Sequence, residues 1–213
     1  MTYAAIRGTN AELFSHAANL YLTDGMVIAD VTYGKGVFWK KIDTSQFTLH
    51  KLDLLPRSDD VEMGDLRHLP FASNHLNAVV LDPPYMHNPG APLVSANYRN
   101  SETARQMYHA DIIAEFYRKG MSEALRVLKS GGLLFVKCAD EIESGCQCRG
   151  HIEVWEIAVR ELDMIDKDLF VLVNSGGALP KNQVHAKKNL SFLWVFIKAG
   201  AGYKRPVRRR FLS

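Results

Sequence analysis

The chain has 213 residues, 47% of them hydrophobic, and a net charge of +3 from 26 Lys and Arg against 23 Asp and Glu; this suits one domain with a sizeable core and excludes a disordered or collagen-like chain. No run approaches the roughly 18 consecutive apolar residues of a membrane helix, and the amino terminus lacks a basic region followed by a long apolar one, so a soluble cytoplasmic protein without membrane contact is expected. Three cysteines make no disulfide framework in a chain of this length. Cys138, Cys146, Cys148 and His151 supply four zinc-ligand residue types, but C-x7-C-x-C-x2-H is not a finger or ribbon spacing, and no metal is expected. The charge is uneven: Lys204, Arg205, Arg208, Arg209 and Arg210 crowd the last ten residues with no acid among them, and the rest of the chain is slightly acidic.

In chain order, Thr9-Asn10-Ala11-Glu12 reads as a capping box, and Leu13, Phe14, Ala17, Leu20 and Tyr21 follow at helical spacing. Thr23-Asp24-Gly25 breaks this helix, and Met26 to Ala29 is a compact apolar run leading to Asp30, the pattern of a central parallel strand. Asp30-Val31-Thr32-Tyr33-Gly34-Lys35-Gly36 comes next. Two glycines at this spacing after a buried strand let the backbone turn tightly and approach a ligand, although G-x-G alone is also an ordinary turn. Phe47 to Leu52 predicts a second strand ending at Asp53, and Met63-Gly64-Asp65-Leu66 ends a third short segment in another acid.

Ala78 to Tyr85, Ala-Val-Val-Leu-Asp-Pro-Pro-Tyr, is a further buried strand. Two prolines fix φ and remove two backbone donors, so the strand must stop at Asp82-Pro83-Pro84-Tyr85, at the end where open α/β sheets bind ligands. The plainer reading is a turn that ends a strand; against it, Asp30, Asp53, Asp65 and Asp82 fall in succession at the ends of apolar runs. Residues 86–102 are rich in Asn, Pro, Gly and Ser, as binding loops of this length often are. A helix through Ile112, Phe116, Met121, Ala124, Leu125 and Leu128 is predicted next, ended by Ser130-Gly131-Gly132, with a strand over Leu133 to Cys138. Ile152 to Leu162 reads as a helix. Lys167 to Val173 and Leu190 to Ile197 read as two strands, an antiparallel edge hairpin on a parallel sheet.

These motifs resemble the class I S-adenosylmethionine-dependent methyltransferases, and among them the DNA methyltransferases that methylate adenine N6 or cytosine N4. Asp82-Pro83-Pro84-Tyr85 corresponds to their D/N/S-P-P-Y/F/W motif and Asp30-x-x-x-Gly34-x-Gly36 to their cofactor loop. Leu125 to Leu134 is similar to their helix-to-strand transition, with Ser130 where proline is usual. Thr32 stands where many members carry a first glycine. The resemblance spans about residues 10–198 and implies an α/β, Rossmann-like, doubly wound sheet of seven mostly parallel strands with an antiparallel edge strand. It implies one catalytic domain over 1–198, a basic tail over 199–213 and no separate target-recognition domain. Only the loops at 86–102, 140–150 and 174–189 are left to read a target, so sequence selectivity is expected to be short or absent, or supplied by a partner. A bacterial or phage-encoded setting goes with such a small methylase.

The resemblance also assigns residues. Asp82, Pro83, Pro84 and Tyr85 would be catalytic. Asp30, Gly34 and Gly36 would hold the methionine end of the cofactor, Asp53 its ribose, and Asp65 and Leu66 its adenine, with Thr32, Tyr33 and Asp82 as further cofactor contacts. An exocyclic amine is a weak nucleophile because its lone pair is delocalised into the ring; hydrogen bonds to the Asp82 carboxylate and Pro83 carbonyl would localise it, and catalysis would come from positioning and electrostatics. Tyr85 would stack on the base, flipped out if the substrate is duplex. Cytosine C5 chemistry is disfavoured, since no cysteine lies near the proline pair. The leading Asp favours adenine N6 in DNA. An RNA methyltransferase acting on guanine N2 or adenine N6, or an inactive nucleic-acid-binding subunit, would be the alternatives. His87, Asn88, Tyr98, Arg99, Lys181, Lys187, Lys188, Arg208, Arg209 and Arg210 are the candidate nucleic-acid contacts, the basic tail being either such a contact or a solvated terminus. Deleting residues 204–213 is expected to weaken nucleic-acid binding and lower the slope of log K against log salt, since each lost phosphate contact removes counterion release; an unchanged slope in a salt titration would make the tail a bystander.

Overall fold

The first element with a clear local cause is helix α1, Asn10–Tyr21. Thr9 Oγ1 accepts from the Glu12 amide at 3.3 Å, and Glu12 Oε2 accepts from the Thr9 amide at 2.9 Å. This reciprocal cap satisfies two amides that a helix start leaves over. The structure, a computed structural model, describes residues 2–84, 107–174 and 184–200.

Ten strands are described: β1 Ala5–Arg7, β2 Val27–Asp30, β3 Thr48–Asp53, β4 Glu62–Met63, β5 Leu76–Leu81, β6 Leu128–Ala139, β7 Glu141–Glu143, β8 Cys146–Cys148, β9 Ile165–Val173 and β10 Leu190–Ile197. Helix α2 is built of three contiguous segments, His109–Ile112, a π-helical stretch Ile113–Arg118, and Lys119–Val127. Helix α3 joins Gly150–Glu156 to a π-helical Ile157–Glu161.

Eight strands form one sheet in the order β1-β9-β10-β6-β5-β2-β3-β4, and β7 and β8 form a separate hairpin. All pairings in the large sheet are parallel except those of β10, which runs antiparallel to both β6 and β9. The doubly wound, mostly parallel architecture is the expected one, with two corrections. The sheet has eight strands rather than seven, because Ala5–Arg7 adds to β9. The antiparallel strand is not at the edge but between β9 and β6. Ser191 to Phe196 are all buried; such a run needs cover on both faces and ladders on both sides, which an edge position denies it.

The strands bury both faces by alternation. Ala78, Val80, Leu133, Phe135, Leu193 and Val195 pack with Leu13, Phe14 and Ala17 of α1 and with Phe38 and Trp39 of a short 3-10 turn, Val37–Lys41. Val79, Leu81, Leu134, Val136, Trp194 and Phe196 pack with Ile112, Tyr117 and Met121 of α2 and Val154 and Ile157 of α3. A further correction concerns the exit from α2. The helix ends at Val127, and Ser130-Gly131-Gly132 lies within a strand that already pairs Leu128 with Leu76. Gly131, at φ 77°, absorbs the irregularity there, where the β5–β6 register shifts.

Phe14 is fully buried, with its ring 5.0 Å from Phe38, 5.0 Å from Trp39 and 5.5 Å from Phe135. It joins α1, the 3-10 turn and the sheet. Phe14→Ala is therefore expected to cost about 3–5 kcal/mol in urea unfolding; a loss below about 1 kcal/mol would show that this cluster does not hold α1 in place.

Candidate active site at the carboxyl edge of the sheet

Strands β2, β3 and β5 are parallel neighbours, and Asp30, Asp53 and Asp82 stand at their carboxyl ends. Asp30 is buried; its Oδ2 accepts from the Trp39 indole at 2.8 Å and its Oδ1 from the Thr32 amide at 3.1 Å. The turn that follows folds back on β3, with the Tyr33 amide donating to the Leu52 carbonyl at 2.9 Å and the Gly36 amide to the Tyr33 carbonyl at 2.8 Å. Gly36 has φ 62°, and a Cβ there would come within 2.5 Å of the Tyr33 hydroxyl. Glycine is required at that point by both backbone and space. For Gly34, at φ 55°, the nearest atom of the described residues to an added Cβ is the Thr32 carbonyl oxygen at 3.9 Å, so among these residues this part of the loop faces open room.

Two side chains lock the strand ends together. Asp53 is buried; its Oδ2 accepts from the Gly34 amide at 2.8 Å and its Oδ1 from the Leu55 amide at 2.9 Å. Thr32 Oγ1 accepts from the Asp82 amide at 2.7 Å. Thus Thr32, at the position where a glycine was looked for, joins the glycine turn to Asp82-Pro83. Sequence reasoning missed this role, and an isolated threonine offers no local signal for it.

The edge is strongly acidic. Burial pushes the Asp30 carboxyl up to about 7, the Trp39 and Thr32 hydrogen bonds oppose this, and the Asp82 and Asp53 charges add to it. Burial also raises Asp82, against the pull of the Lys137 ammonium. Asp82 as a residue is partly exposed, but its Oδ1 is shut off from solvent and has no hydrogen-bond partner among the described residues. A carboxylate oxygen in that condition costs free energy until a donor arrives. Such a cluster favours a cationic or hydrogen-bond-donating ligand.

The remaining predicted residues divide. Pro83 is buried beside Asp82. The Asp65 carboxylate is gripped by Arg67, with Nη2 at 2.7 Å and Nε at 2.9 Å. Leu66 packs against α2, where a Cβ on Gly120 would meet its Cδ1 at 2.5 Å. Lys187 and Lys188 are partly buried just ahead of β10. Because β10 is antiparallel, they lie at the same end of the sheet as Asp82. The 140–150 loop forms the β7–β8 hairpin at that end too. Tyr85, His87, Asn88, Tyr98, Arg99, Lys181, Arg208, Arg209 and Arg210 lie outside the described residues. Cys138 is buried in β6 and Cys146 is exposed on β8; no group of three His, Cys, Asp or Glu side chains among the described residues is arranged to hold a metal ion.

Sequence reasoning also passed over Lys137 and His109. Lys137 is fully buried in β6, and its signal was a cation interrupting the apolar run from Leu133 to Cys138. His109 opens α2, the first helix after residues 85–106. Its Nδ1 lies 2.6 Å from Glu141 Oε1 and its Nε2 2.5 Å from Glu153 Oε2, while its amide donates to Glu143 Oε1 at 2.8 Å. One imidazole thereby joins α2 to the β7–β8 hairpin and α3.

No family model matches the chain, and no curated protein matches its sequence. Solved structures do match its fold. A SAM-dependent methyltransferase from Methanosarcina mazei superposes with TM-score 0.54 at 12% identity, covering 86% of this chain and 97% of that one. A candidate methyltransferase from Bacillus halodurans gives 0.56 at 14% identity, covering 90% and 99%. The [4+2]-cyclase SpnF gives 0.56 at 12% identity, covering 90% and 81%. The chain has the Rossmann-like fold of class I methyltransferases. A cyclase with the same fold shows why the chemistry must be argued from the site.

Hydrogen bonding to Glu141, with Glu153 adding, raises His109 from 6.5 to about 9 against the effect of burial. The imidazolium clamp therefore contributes its full stability below pH 6.5 and loses it as pH rises through 9. Thermal unfolding from pH 6 to pH 10 is expected to show a loss on the order of 2 kcal/mol, allowing for solvent screening, that His109→Gln abolishes. An identical pH dependence in the variant would place the titration elsewhere.

Proposed function

We propose that this protein is an S-adenosylmethionine-dependent methyltransferase acting on an exocyclic amine of a nucleic-acid base, adenine N6 in DNA first. The observation that carries the reading is Asp82: a shielded carboxylate oxygen without a donor among the described residues, at the end of a central strand, tied through Thr32 to a glycine turn. The residues fit the cofactor. The room at Gly34 admits a ligand close to the backbone, and the acidic edge formed by Asp30, Asp53 and Asp82 suits a cationic sulfonium. In this reading Asp30, Thr32, Tyr33, Gly34 and Gly36 line the methionine end, Asp53 the ribose, and Leu66 with Asp65 the adenine end. Asp65 would act there while still bound to Arg67.

When bound, the cofactor supplies an electrophilic methyl group. The chain's own residues do the rest. Asp82 Oδ1 accepts a hydrogen bond from the amine, which relieves its own unmet need and draws the nitrogen lone pair out of the ring. The Pro83 carbonyl accepts the second N–H. Proline at 83 and 84 keeps this geometry from relaxing, so stabilisation comes from groups fixed before the substrate arrives. Tyr85 stacks on the base. Lys187 and Lys188, with the candidate contacts of residues 86–102 and of the tail, supply positive charge for the phosphate backbone.

The test is incubation with labelled S-adenosylmethionine and, separately, duplex DNA, single-stranded DNA and bulk RNA, followed by digestion to nucleosides. Labelled N6-methyl-2′-deoxyadenosine from DNA is expected, and Asp82→Ala should lower turnover by about a hundredfold or more with cofactor affinity near that of the wild type. Label in RNA alone would move the substrate to RNA, and comparable turnover by Asp82→Ala would remove Asp82 from the chemistry.

A further inference from the structure

Lys137 is 0% exposed, in the interior of an eight-stranded sheet. An ammonium taken out of water costs several kcal/mol unless an opposite charge and hydrogen bonds compensate. A chain that needed only packing at this position would carry an apolar residue, as its neighbours Val136 and Cys138 do.

The β5–β6 register shows what Lys137 stands beside. Leu81 pairs with Val136, so the next residue on each strand, Asp82 and Lys137, are lateral neighbours. Val136 packs on the α2 side and Phe135 on the α1 side, and alternation places Lys137 on the α1 side. Its antiparallel partner Leu193 packs on that side too. The backbone is anchored from the other layer, where the Tyr117 hydroxyl donates to the Lys137 carbonyl at 3.0 Å. The charged and titratable groups around the pair are Asp30 and Asp53, at the ends of β2 and β3 and acting with the Asp82 charge, Cys138 in β6, and Asp140 just after it. Within this group Lys137 acts with the Asp82 charge.

Burial acts on the two partners in opposite senses. It disfavours the charged form of Asp82, and it disfavours the charged form of Lys137; each charge opposes that loss in the other. Without the ammonium, the shielded Asp82 carboxyl would be driven towards its neutral acid, which presents a donor where an amine must be received.

We propose that Lys137 is a positioning residue of the Asp82 site: its buried ammonium keeps the neighbouring carboxylate ionised and acceptor-only, so that the pocket receives an amine hydrogen. This deepens the functional reading above and rests on it for its catalytic meaning, but the charge state is a property of the protein alone. The experiment is a titration of the full chain carrying carboxyl-13C aspartate and 13Cε lysine, followed by NMR, with Asp82→Asn and Lys137→Arg assigning the two resonances. At pH 7 the wild type should show an ionised Asp82 and a charged Lys137. Lys137→Met should raise the Asp82 midpoint by at least one pH unit, and Lys137→Arg should hold it near the wild-type value. In turnover, the acidic limb of the Lys137→Met profile should move up by the same amount, lowering kcat about tenfold for each pH unit of that move at pH values below both midpoints, with KM for the cofactor unchanged. An unmoved Asp82 midpoint in folded Lys137→Met overturns the proposal. Should Lys137→Met not fold, the wild-type titration decides alone: a neutral Lys137 amine or a protonated Asp82 at pH 7 overturns it. If no nucleic acid is methylated but the titration behaves as expected, the charge relation stands and the functional reading falls.

Discussion

The hydrogen bond from the Asp82 amide to the Thr32 hydroxyl, 2.7 Å long, holds the end of β5 against the turn that follows β2. Its counterpart, the Gly34 amide donating to Asp53 Oδ2 at 2.8 Å, holds that same turn against the end of β3. Together they join three strand ends that sequence separates by about fifty residues. Each uses a backbone amide that a parallel sheet would otherwise leave unsatisfied at its carboxyl edge. With the parallel pairing of β5, β2 and β3, these two bonds hold the glycine turn, the acids and the proline pair in one site.

Electrostatics then gives the site its character. Three carboxyl groups, two of them buried and one partly exposed, stand at neighbouring strand ends, and Asp30 is raised to about 7 by burial with the Asp82 and Asp53 charges adding to it. The fold answers with donors placed inside the protein, the Trp39 indole on Asp30 and backbone amides on Asp53, and with the charge of the Lys137 ammonium near Asp82. Of these three, Asp82 alone has a shielded oxygen without a donor among the described residues. An unmet acceptor in an acidic, partly desolvated edge is an arrangement that favours an incoming N–H or a cation.

Much of this was legible in the residues. The capping box at Thr9 and Glu12 acts locally, so helix α1 followed directly. The apolar runs ending at Asp30 and Asp82 identified two parallel strands, because a strand covered on both faces must be apolar at both parities. Asp82-Pro83-Pro84 marked a strand end, since two prolines cannot continue a ladder. The order of strands in space was less legible. Leu190 to Ile197 read as an edge partner, although the unbroken run from Phe192 to Ile197 already demanded cover on both faces. The exit from α2 was misread because Ser130-Gly131-Gly132 looks like a turn, whereas Gly131 absorbs a bulge inside a strand.

What the sequence determined by itself was therefore what neighbours along the chain govern: the type of most elements, the cap that starts α1 and the proline pair that stops β5. The tertiary structure decided what those residues do to one another. Thr32 became a tie to Asp82, Asp53 a brace for Gly34, and His109 a clamp on two glutamates 32 and 44 residues away. Lys137 became the counter-charge of Asp82 through strand register alone. Hydrogen bonds and charge pairs act over a few ångströms of space regardless of separation along the chain, and only folding brings such partners within that distance.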